Sequence, residues 1–186
     1  EAMRRPKYLE SPQPQRALAP WKNLTMETFW EKGDRADQPA CPWQANVYGF
    51  DISRSNPSVL YCGTEPGAIF KTVDKGKTWK QVGAEYVLQT EAISIHPTNS
   101  DVVYLGAPGA IRRTNDGGAT WATLFPMKDL WLNDIEVHPA APNMIFAAGN
   151  LGLFRSSNAG QDWTRILNDA VSDLEINTAD PHQLYL

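Results

Sequence analysis

Three aspartates stand at similar places in the sequence and could act on one substrate together. Asp51, Asp134 and Asp173 each precede an aliphatic residue at the start of a short apolar run, and Ala92 takes that place in a fourth run. Glycoside hydrolysis needs two carboxyl groups about 5 to 9.5 Å apart. If the runs are neighbouring strands, these acids predict a carboxylate cluster. The alternative interpretation is that they cap turns or lie in solvent.

The histidines and cysteines do not indicate a metal site. His96 and His138 each precede a proline at the same place in successive repeats, which indicates a structural turn. Cys41 and Cys62 lack the spacing of metal-ligating cysteines. Two interpretations of them stay open: independent thiols, or a disulfide that would indicate an oxidising compartment. We expect no metal and no other cofactor.

The composition argues against a nucleic-acid partner and against a membrane span. The chain has 186 residues and a formal net charge of −4, and its lysines and arginines form no stripe. No nucleic-acid partner is therefore expected. No run approaches the roughly 18 apolar residues of a membrane span. The sequence begins with Glu, and no signal-peptide core precedes Met3, which fits a processed terminus or an excised fragment.

A repeat of constant length organises the chain from about residue 46. The motifs "KTVDKGKTW", "RRTNDGGATW" and "RSSNAGQDW" end in Trp79, Trp121 and Trp163, which are spaced 42 and 42 residues apart. Each repeat holds four short β-branched and aromatic runs bounded by Gly, Pro, Asn or Asp. Four antiparallel strands in about 42 residues are typical of a β-propeller blade. The sequence therefore predicts an all-β fold of four-stranded antiparallel blades.

The strands of each blade can be placed by aligning the repeats. The second strands carry apolar residues on both faces, so neighbouring blades must stack. First strands are predicted over 47–53, 91–97, 133–139 and 172–178, and second strands over 58–64, 101–107, 143–149 and 182–186. Third strands are predicted over 68–72, 110–114 and 152–156, and fourth strands begin at the three tryptophans.

The motif between the third and fourth strands has the residues of a tight, anchored turn. Its Asp or Asn is expected to accept hydrogen bonds from the turn's own backbone. The glycine at its fifth position is expected to supply a positive φ, and its Trp is expected to wedge between neighbouring sheets. These residues are Asp74, Gly76, Trp79, Asp116, Gly118, Trp121, Asn158, Gly160 and Trp163.

The motif resembles the Asp-box, or BNR repeat, Ser/Thr-x-Asp-x-Gly-x-Thr-Trp. It occurs as "TVDKGKTW", "TNDGGATW" and the degenerate "SSNAGQDW". Residues 46–186 resemble the repeats of sortilin-type propellers, sialidases, xyloglucan hydrolases and photosystem II assembly-factor propellers. They are most similar to sortilin-like propellers of secreted or cell-surface Bacteroidetes proteins. The resemblance implies a propeller fold in which the box is structural and not catalytic.

The expected organisation is a row of blades behind an irregular entry. Residues 1–20 are predicted to be a proline-rich arm, and 21–45 an entry segment in which "WKNL" (21–24) copies the start of a fourth strand. Blades are predicted over 46–83, 84–125 and 126–167, with a partial blade over 168–186. Because three blades cannot close a ring, we expect an incomplete segment of a larger propeller.

The loops opposite the boxes are the expected ligand-binding face. The candidate binding residues there are Glu65, Tyr86, Trp131, Asn133 and Asn150. Trp131 either anchors a peptide or sugar, or its connection folds inward to fill the centre.

The function that the sequence favours is a non-catalytic scaffold that binds a protein or peptide. We expect it in a secreted, cell-surface or periplasmic protein, as a subunit of a surface or secretion-related assembly. The alternative is a glycan-binding propeller or a glycoside hydrolase similar to xyloglucanases, with Asp51, Asp134 and Asp173 as the candidate acids.

Overall fold

The computed structural model describes residues 47–64, 67–83, 90–177, 179–180 and 182–186. All regular elements in these ranges are β-strands, which confirms the predicted fold class. The predicted arm at 1–20 and the "WKNL" strand at 21–24 lie outside the described residues. The described residues form no helix with the length and hydropathy of a membrane span.

The described strands form three four-stranded antiparallel sheets and one two-stranded sheet, each in chain order. Blade 1 consists of β1 (Val47–Ile52), β2 (Leu60–Thr64), β3 (Ile69–Thr72) and β4 (Lys80–Val82). Blade 2 consists of β5 (Ile93–Ile95), β6 (Val103–Ala107), β7 (Ala110–Thr114) and β8 (Ala122–Pro126). Blade 3 consists of β9 (Leu132–Val137), β10 (Ile145–Gly149), β11 (Gly152–Ser156) and β12 (Thr164–Leu167). Blade 4 begins with β13 (Glu175–Ile176) and β14 (Leu184–Tyr185).

The blades stack through one contact that recurs at each junction. An aromatic side chain of the second strand shares a buried apolar cluster with two aliphatic side chains that lie in, or directly before, the first strand of the next blade. These sets are Tyr61 with Ile93 and Ile95, Tyr104 with Ile135 and Val137, and Phe146 with Leu174 and Ile176. Burial of these apolar surfaces explains why blades are stable only when stacked.

Polar contacts from the second and third strands of one blade also cross the junctions to the next blade. The Tyr61 hydroxyl donates to the Ser100 carbonyl at 3.1 Å, and Lys71 Nζ lies 2.8 Å from Asp101 Oδ1. In the next junction Tyr104 Oη and Arg113 Nη1 both donate to the Ala159 carbonyl, each at 3.4 Å. The second and third strands of one blade therefore hold the turns of the next.

The structure corrects the alignment of the first strands. Ser53, His96 and His138 each donate a backbone hydrogen bond to the start of the second strand, at 2.9 Å, so these residues are equivalent. The residues two positions earlier are therefore equivalent as well: Asp51, Ser94, Glu136 and, in blade 4, Glu175. Asp134 lies two residues earlier in its blade than Asp51 does. The predicted alignment of Asp51 with Asp134 was wrong because blade 1 has "SR" where blades 2 and 3 have "HP".

Candidate functional site

The Asp-box turns are closed around a buried hydroxyl. Thr114 Oγ1 donates to Asp116 Oδ1 at 2.7 Å and accepts the backbone N–H groups of Asp116 and Gly118 at 3.2 and 2.9 Å. The Thr120 backbone N–H and hydroxyl donate to the two oxygens of Asp116 at 2.9 and 2.6 Å. The turn of blade 1 has the same bonds between Thr72, Asp74 and Thr78.

These bonds stabilise the ionised form of the box aspartates. Hydrogen bonds from Thr78 lower the pKa of Asp74 to about 2, and those from Thr120 lower the pKa of Asp116 to about 2. Bonds that favour a charged carboxylate have this effect. The turn's own donors occupy both oxygens of each carboxylate. The boxes therefore stabilise the turns and are poor candidates for ligand binding.

The degenerate third box keeps the geometry with Asn in place of the box Asp and Asp in place of the box Thr. Asn158 Oδ1 accepts from the Ser156 hydroxyl at 3.0 Å and from the Asp162 N–H at 2.9 Å. Asn158 Nδ2 donates to Asp162 Oδ2 at 2.8 Å. The carboxylate has thus moved from the third to the seventh position of the motif. The sequence prediction missed Asp162 and the buried hydroxyl of Ser156.

The box tryptophans reach toward the preceding blade. Trp121 packs against the cluster shared by blades 1 and 2. Trp163 packs against the cluster of blades 2 and 3, and its ring centroid lies 5.9 Å from that of Phe125 in blade 2. Trp163 Nε1 also donates to the Gly160 carbonyl at 3.0 Å, as Trp79 Nε1 does to Gly76 at 3.2 Å.

The backbone of each box is left-handed at two successive residues. The glycines at the fifth position of the motif, Gly76, Gly118 and Gly160, have φ values of 80°, 95° and 87°. The residue before each also has a positive φ: Lys75, Gly117 and Ala159, at 64°, 72° and 58°. A side chain at such a φ is strained, so two of the three boxes carry strain at this position.

The inner-strand acids bridge neighbouring blades. Asp51 Oδ2 accepts the Ile95 N–H of blade 2 at 2.6 Å. Ser94 Oγ accepts the Val137 N–H of blade 3 at 3.1 Å from the equivalent position. Asp134 Oδ2 accepts the Leu174 N–H of blade 4 at 3.1 Å. These side chains pair backbone donors of the first strands that the four-stranded sheets leave without a neighbouring strand.

Two acids of blade 3 have raised pKa values. Burial, with smaller contributions from Asp173 and Glu175, raises the pKa of Asp134 to about 6. Burial and the nearby charges of Asp134 and Asp51 raise the pKa of Glu136 to about 8. Burial also raises the pKa of Asp51, while Asp173 is exposed.

Glu136 is a residue that the sequence prediction missed. The sequence "DIE" at 134–136 could have indicated Glu136, because alternate residues of a strand share one face and Glu136 therefore lies on the same face as Asp134. The described residues contain no group of three or more His, Cys, Asp or Glu arranged to hold a metal ion.

On the loop face, Trp131 is exposed between two buried leucines. Leu130 is fully buried and Leu132 is 5% exposed, both in the core of blades 2 and 3, whereas Trp131 is 46% exposed. The connection is therefore divided between core and surface, and the role of Trp131 as an anchor for a peptide or sugar stays a prediction. Its leucines fill the core, and its tryptophan faces solvent.

Hydrogen bonds from two neighbouring loops fix the backbone around Trp131. Asn150 Oδ1 accepts the Trp131 N–H at 2.8 Å, and the Asn150 N–H donates to the Trp131 carbonyl at 3.0 Å. Asn150 Nδ2 donates to the carbonyl of Asp129, which has a φ of 64°. Gly109 donates to the Leu130 carbonyl at 2.9 Å. The indole thus stands on a rigid platform formed by three loops.

The other predicted binding residues differ in their surroundings. Asn133 Nδ2 donates to the Val171 carbonyl at 2.8 Å and so links strand β9 of blade 3 to the connection that leads to blade 4. Asn150 is exposed, but its amide is used in the platform. Glu65 and Tyr86 lie outside the described residues. Cys62 is a free, buried thiol whose pKa is raised by burial to about 12, and its proposed partner Cys41 is also outside them.

Stacked four-stranded sheets joined to Asp-box turns define a BNR-repeat β-propeller segment. The chain belongs to the family described as photosynthesis system II assembly factor YCF48, which matches residues 35–185. No curated protein matches the chain.

Solved structures show the same fold at low sequence identity. YCF48 from Cyanidioschyzon merolae is 18% identical with a TM-score of 0.57, over 71% of this chain and 40% of that one. A structure of YCF48 bound to D1 peptide is 14% identical with a TM-score of 0.57, over 75% of this chain and 47% of that one.

Glycoside hydrolases share the fold as well. The GH74 xyloglucanase from Xanthomonas campestris is 18% identical with a TM-score of 0.56, over 76% of this chain and 24% of the enzyme. The chain therefore spans less than half the length of each of these proteins. Likeness to sortilin-like propellers and an origin in Bacteroidetes stay predictions.

Proposed function

We propose that this chain is a non-catalytic propeller segment that binds a protein or peptide through its loop face. The exposed indole of Trp131 carries the proposal. Large aromatic side chains dominate the energetics of binding interfaces, and a backbone that is already fixed loses little conformational entropy on binding. The structure of YCF48 bound to D1 peptide supports a peptide as the class of partner.

The Asp-box face gives less support for binding. The carboxylates of Asp74 and Asp116 are occupied by their own turns, and Trp121 and Trp163 are packed between blades. The loop face instead presents the side chain of Trp131, which is 46% exposed. We further propose that the chain acts within a surface or secretion-related assembly of a secreted or cell-envelope protein.

A peptide-array experiment tests the binding proposal. The purified chain is applied to an array of random peptides, and the retained sequences are measured by fluorescence anisotropy. We expect Trp131→Ala to weaken binding at least about tenfold and Trp131→Phe to weaken it less. Val73→Ala, at an exposed residue of a box turn, is the matched control. Specific retention of no peptide, or equal affinity of Trp131→Ala and the parent, would reject the proposal.

A glycoside hydrolase is the second candidate because of the raised pKa values of Asp134 and Glu136. A carboxyl group with such a pKa could serve as the general acid of glycoside cleavage. However, both oxygens of Asp134 accept backbone hydrogen bonds, from Ile135 and Leu174, so this carboxyl already has a structural role.

An assay for reducing ends released from xyloglucan separates the two functions. The non-catalytic proposal predicts no release by the parent chain. Release that is lost in Asp134→Asn or Glu136→Gln, with unchanged thermal unfolding, would establish the hydrolase instead.

A further inference from the structure

The exposed indole of Trp131 is not a requirement of the blade architecture. His138 and Asn177 each donate a backbone hydrogen bond to the start of a second strand, at 2.9 and 3.0 Å, so they are equivalent residues of blades 3 and 4. Seven residues before them lie Trp131 and Ala170. Both are exposed, and each precedes a buried aliphatic residue. Blade 4 therefore has an alanine at the place where blade 3 has the tryptophan.

Asn150 holds the backbone of Trp131 at both its N–H and its carbonyl. Asn150 Oδ1 accepts the Trp131 N–H at 2.8 Å, and the Asn150 N–H donates to the Trp131 carbonyl at 3.0 Å. Asn150 Nδ2 donates to the Asp129 carbonyl at 2.8 Å. Asp129 has a φ of 64°, a left-handed conformation that a non-glycine residue keeps only where its surroundings enforce it. One residue thus fixes the backbone that carries the indole.

Blade 2 is built without an asparagine at the equivalent place. The two-residue loops between the second and third strands are equivalent, at 108–109 in blade 2 and 150–151 in blade 3. The first residue of the loop is Pro108 in blade 2 and Asn150 in blade 3. Proline has no backbone N–H to donate and no side-chain amide. The blade architecture therefore requires neither Asn150 nor Trp131 at these places, yet the two residues are hydrogen-bonded to each other.

We infer that Asn150 is a positioning residue for peptide binding, an inference that rests on the binding role proposed for Trp131. The Asn150 amide is used in hydrogen bonds within the chain, so it acts through Trp131 and not by touching the peptide. It suppresses motions of the loop that binding would otherwise have to suppress. A group that is fixed before binding loses less conformational entropy in the complex. Asn150 therefore raises the affinity of the loop face.

A double-mutant cycle of peptide binding tests the inference, because it measures whether two residues act through one another. The probe is the peptide that binds most tightly among those that the array retains, and fluorescence anisotropy measures its affinity. We expect Asn150→Ala to weaken binding about fivefold in the parent chain and less than about twofold in the Trp131→Ala chain. Asn143→Ala, at an exposed asparagine before strand β10, is the matched control and should bind as the parent does.

Hydrogen–deuterium exchange of the Trp131 backbone amide, followed by NMR, tests the positioning without a peptide. The Asn150 side chain holds this N–H, so Asn150→Ala should speed up its exchange at least about tenfold, whereas Asn143→Ala should leave it unchanged. Circular dichroism verifies that the variants fold. Asn150→Asp keeps the acceptor for Trp131 and loses the donor to Asp129, so it replaces an unfolded alanine variant in the cycle and should show the same coupling to Trp131.

The outcomes separate this inference from the proposed function. Equal losses on Asn150→Ala in the parent and the Trp131→Ala chains, or no loss in the parent, would overturn the positioning role while the binding role of Trp131 stands. Equal affinity of Trp131→Ala and the parent would instead reject the proposed function, on which the inference rests. Unchanged amide exchange in Asn150→Ala would overturn the inference whatever the affinities are.

Discussion

The same residue type behaves in opposite ways at two places in this molecule. Asp116, in an exposed box turn, has a pKa lowered to about 2, whereas Asp134, on a first strand, has one raised to about 6. Both carboxylates accept hydrogen bonds at both oxygens, Asp116 from three donors and Asp134 from two. The difference lies in burial and in neighbouring acids. Hydrogen bonds dominate where water remains, and desolvation dominates between the blades.

The box turns and the first strands have different structural roles. The box turns use charge and hydroxyl groups to hold a local conformation, and they do so independently in each blade. The first strands use acids to pair donors of the next blade, so their effect depends on the stack. Substitutions in the boxes should therefore change local stability. Substitutions in the first strands should change how stability depends on pH.

The largest effect is expected at the buried hydroxyl of the second box. Thr114→Val removes the acceptor of the Asp116 and Gly118 N–H groups and leaves the buried Gly118 donor unpaired. Such losses destabilise a fold by about 3 kcal/mol. Urea unfolding measures the change. Thr123→Val on the exposed strand β8 is the matched control, and an equally small effect of both variants would contradict the assigned role of the hydroxyl.

The next effect concerns pH and the carboxyl group of Glu136. Its pKa rises from 4.5 to about 8 on folding, so the folded chain retains a proton that the unfolded chain releases. The free energy of unfolding should therefore fall as pH rises from about 4.5 to about 8. Glu136→Gln should stabilise the fold by about 2 kcal/mol at pH 9 and have little effect at pH 4.

Urea unfolding at pH 4, 7 and 9 measures this dependence. Glu91→Gln, at an exposed position, is the control and should show no such gain at pH 9. A gain for Glu136→Gln that is the same at all three pH values would point to packing instead of ionisation.

A smaller effect on stability is expected when the second box is given the Asn and Asp of the third box. Thr120→Asp places a second carboxylate against Asp116, where the hydroxyl now lies 2.6 Å from Oδ2, and should lower the melting temperature by repulsion. Adding Asp116→Asn recreates the arrangement of Asn158 and Asp162 and should restore most of the loss. Differential scanning calorimetry compares the two, and a double variant no more stable than the single one would refute the equivalence of the boxes.

The smallest effect on stability is expected at the residue before Gly160, whose backbone is strained. Ala159 has a φ of 58°, and the second box has Gly117 at this place. Ala159→Gly should stabilise the fold by about 0.5 kcal/mol, since relief of the left-handed strain exceeds the added entropy of the unfolded chain. Gly117→Ala is the reverse substitution and should destabilise. Chemical denaturation measures both, and a gain from Gly117→Ala would contradict the strain argument.

The strand order and the turn chemistry could be predicted because both depend on residues close in sequence. A box needs only a hydroxyl, a carboxylate or amide, and a glycine within seven residues, as in "TNDGGAT". The 42-residue spacing of three such boxes then implies a stack of blades. The transfer of the carboxylate from the third position to Asp162 was not anticipated, because the third position alone does not show which residue supplies the charge.

The first strands were harder to predict because their register depends on contacts across about 42 residues. Asp51 was aligned with Asp134, yet its structural equivalent is Glu136. A shift of this size changes which donor of the next blade an acid reaches. It is also why Glu136, the acid with the highest pKa of this group, was not among the candidates.

By itself the sequence determined the all-β class, the four-stranded blade and the closed Asp-box turns, since local spacing and turn geometry are enough to specify them. Only the tertiary structure decided that Trp131 faces solvent while Leu130 and Leu132 fill the core, and that the pKa values of Asp134 and Glu136 are raised to about 6 and about 8. Exposure and ionisation depend on what neighbouring blades bring close, and residues far apart in the chain supply those neighbours.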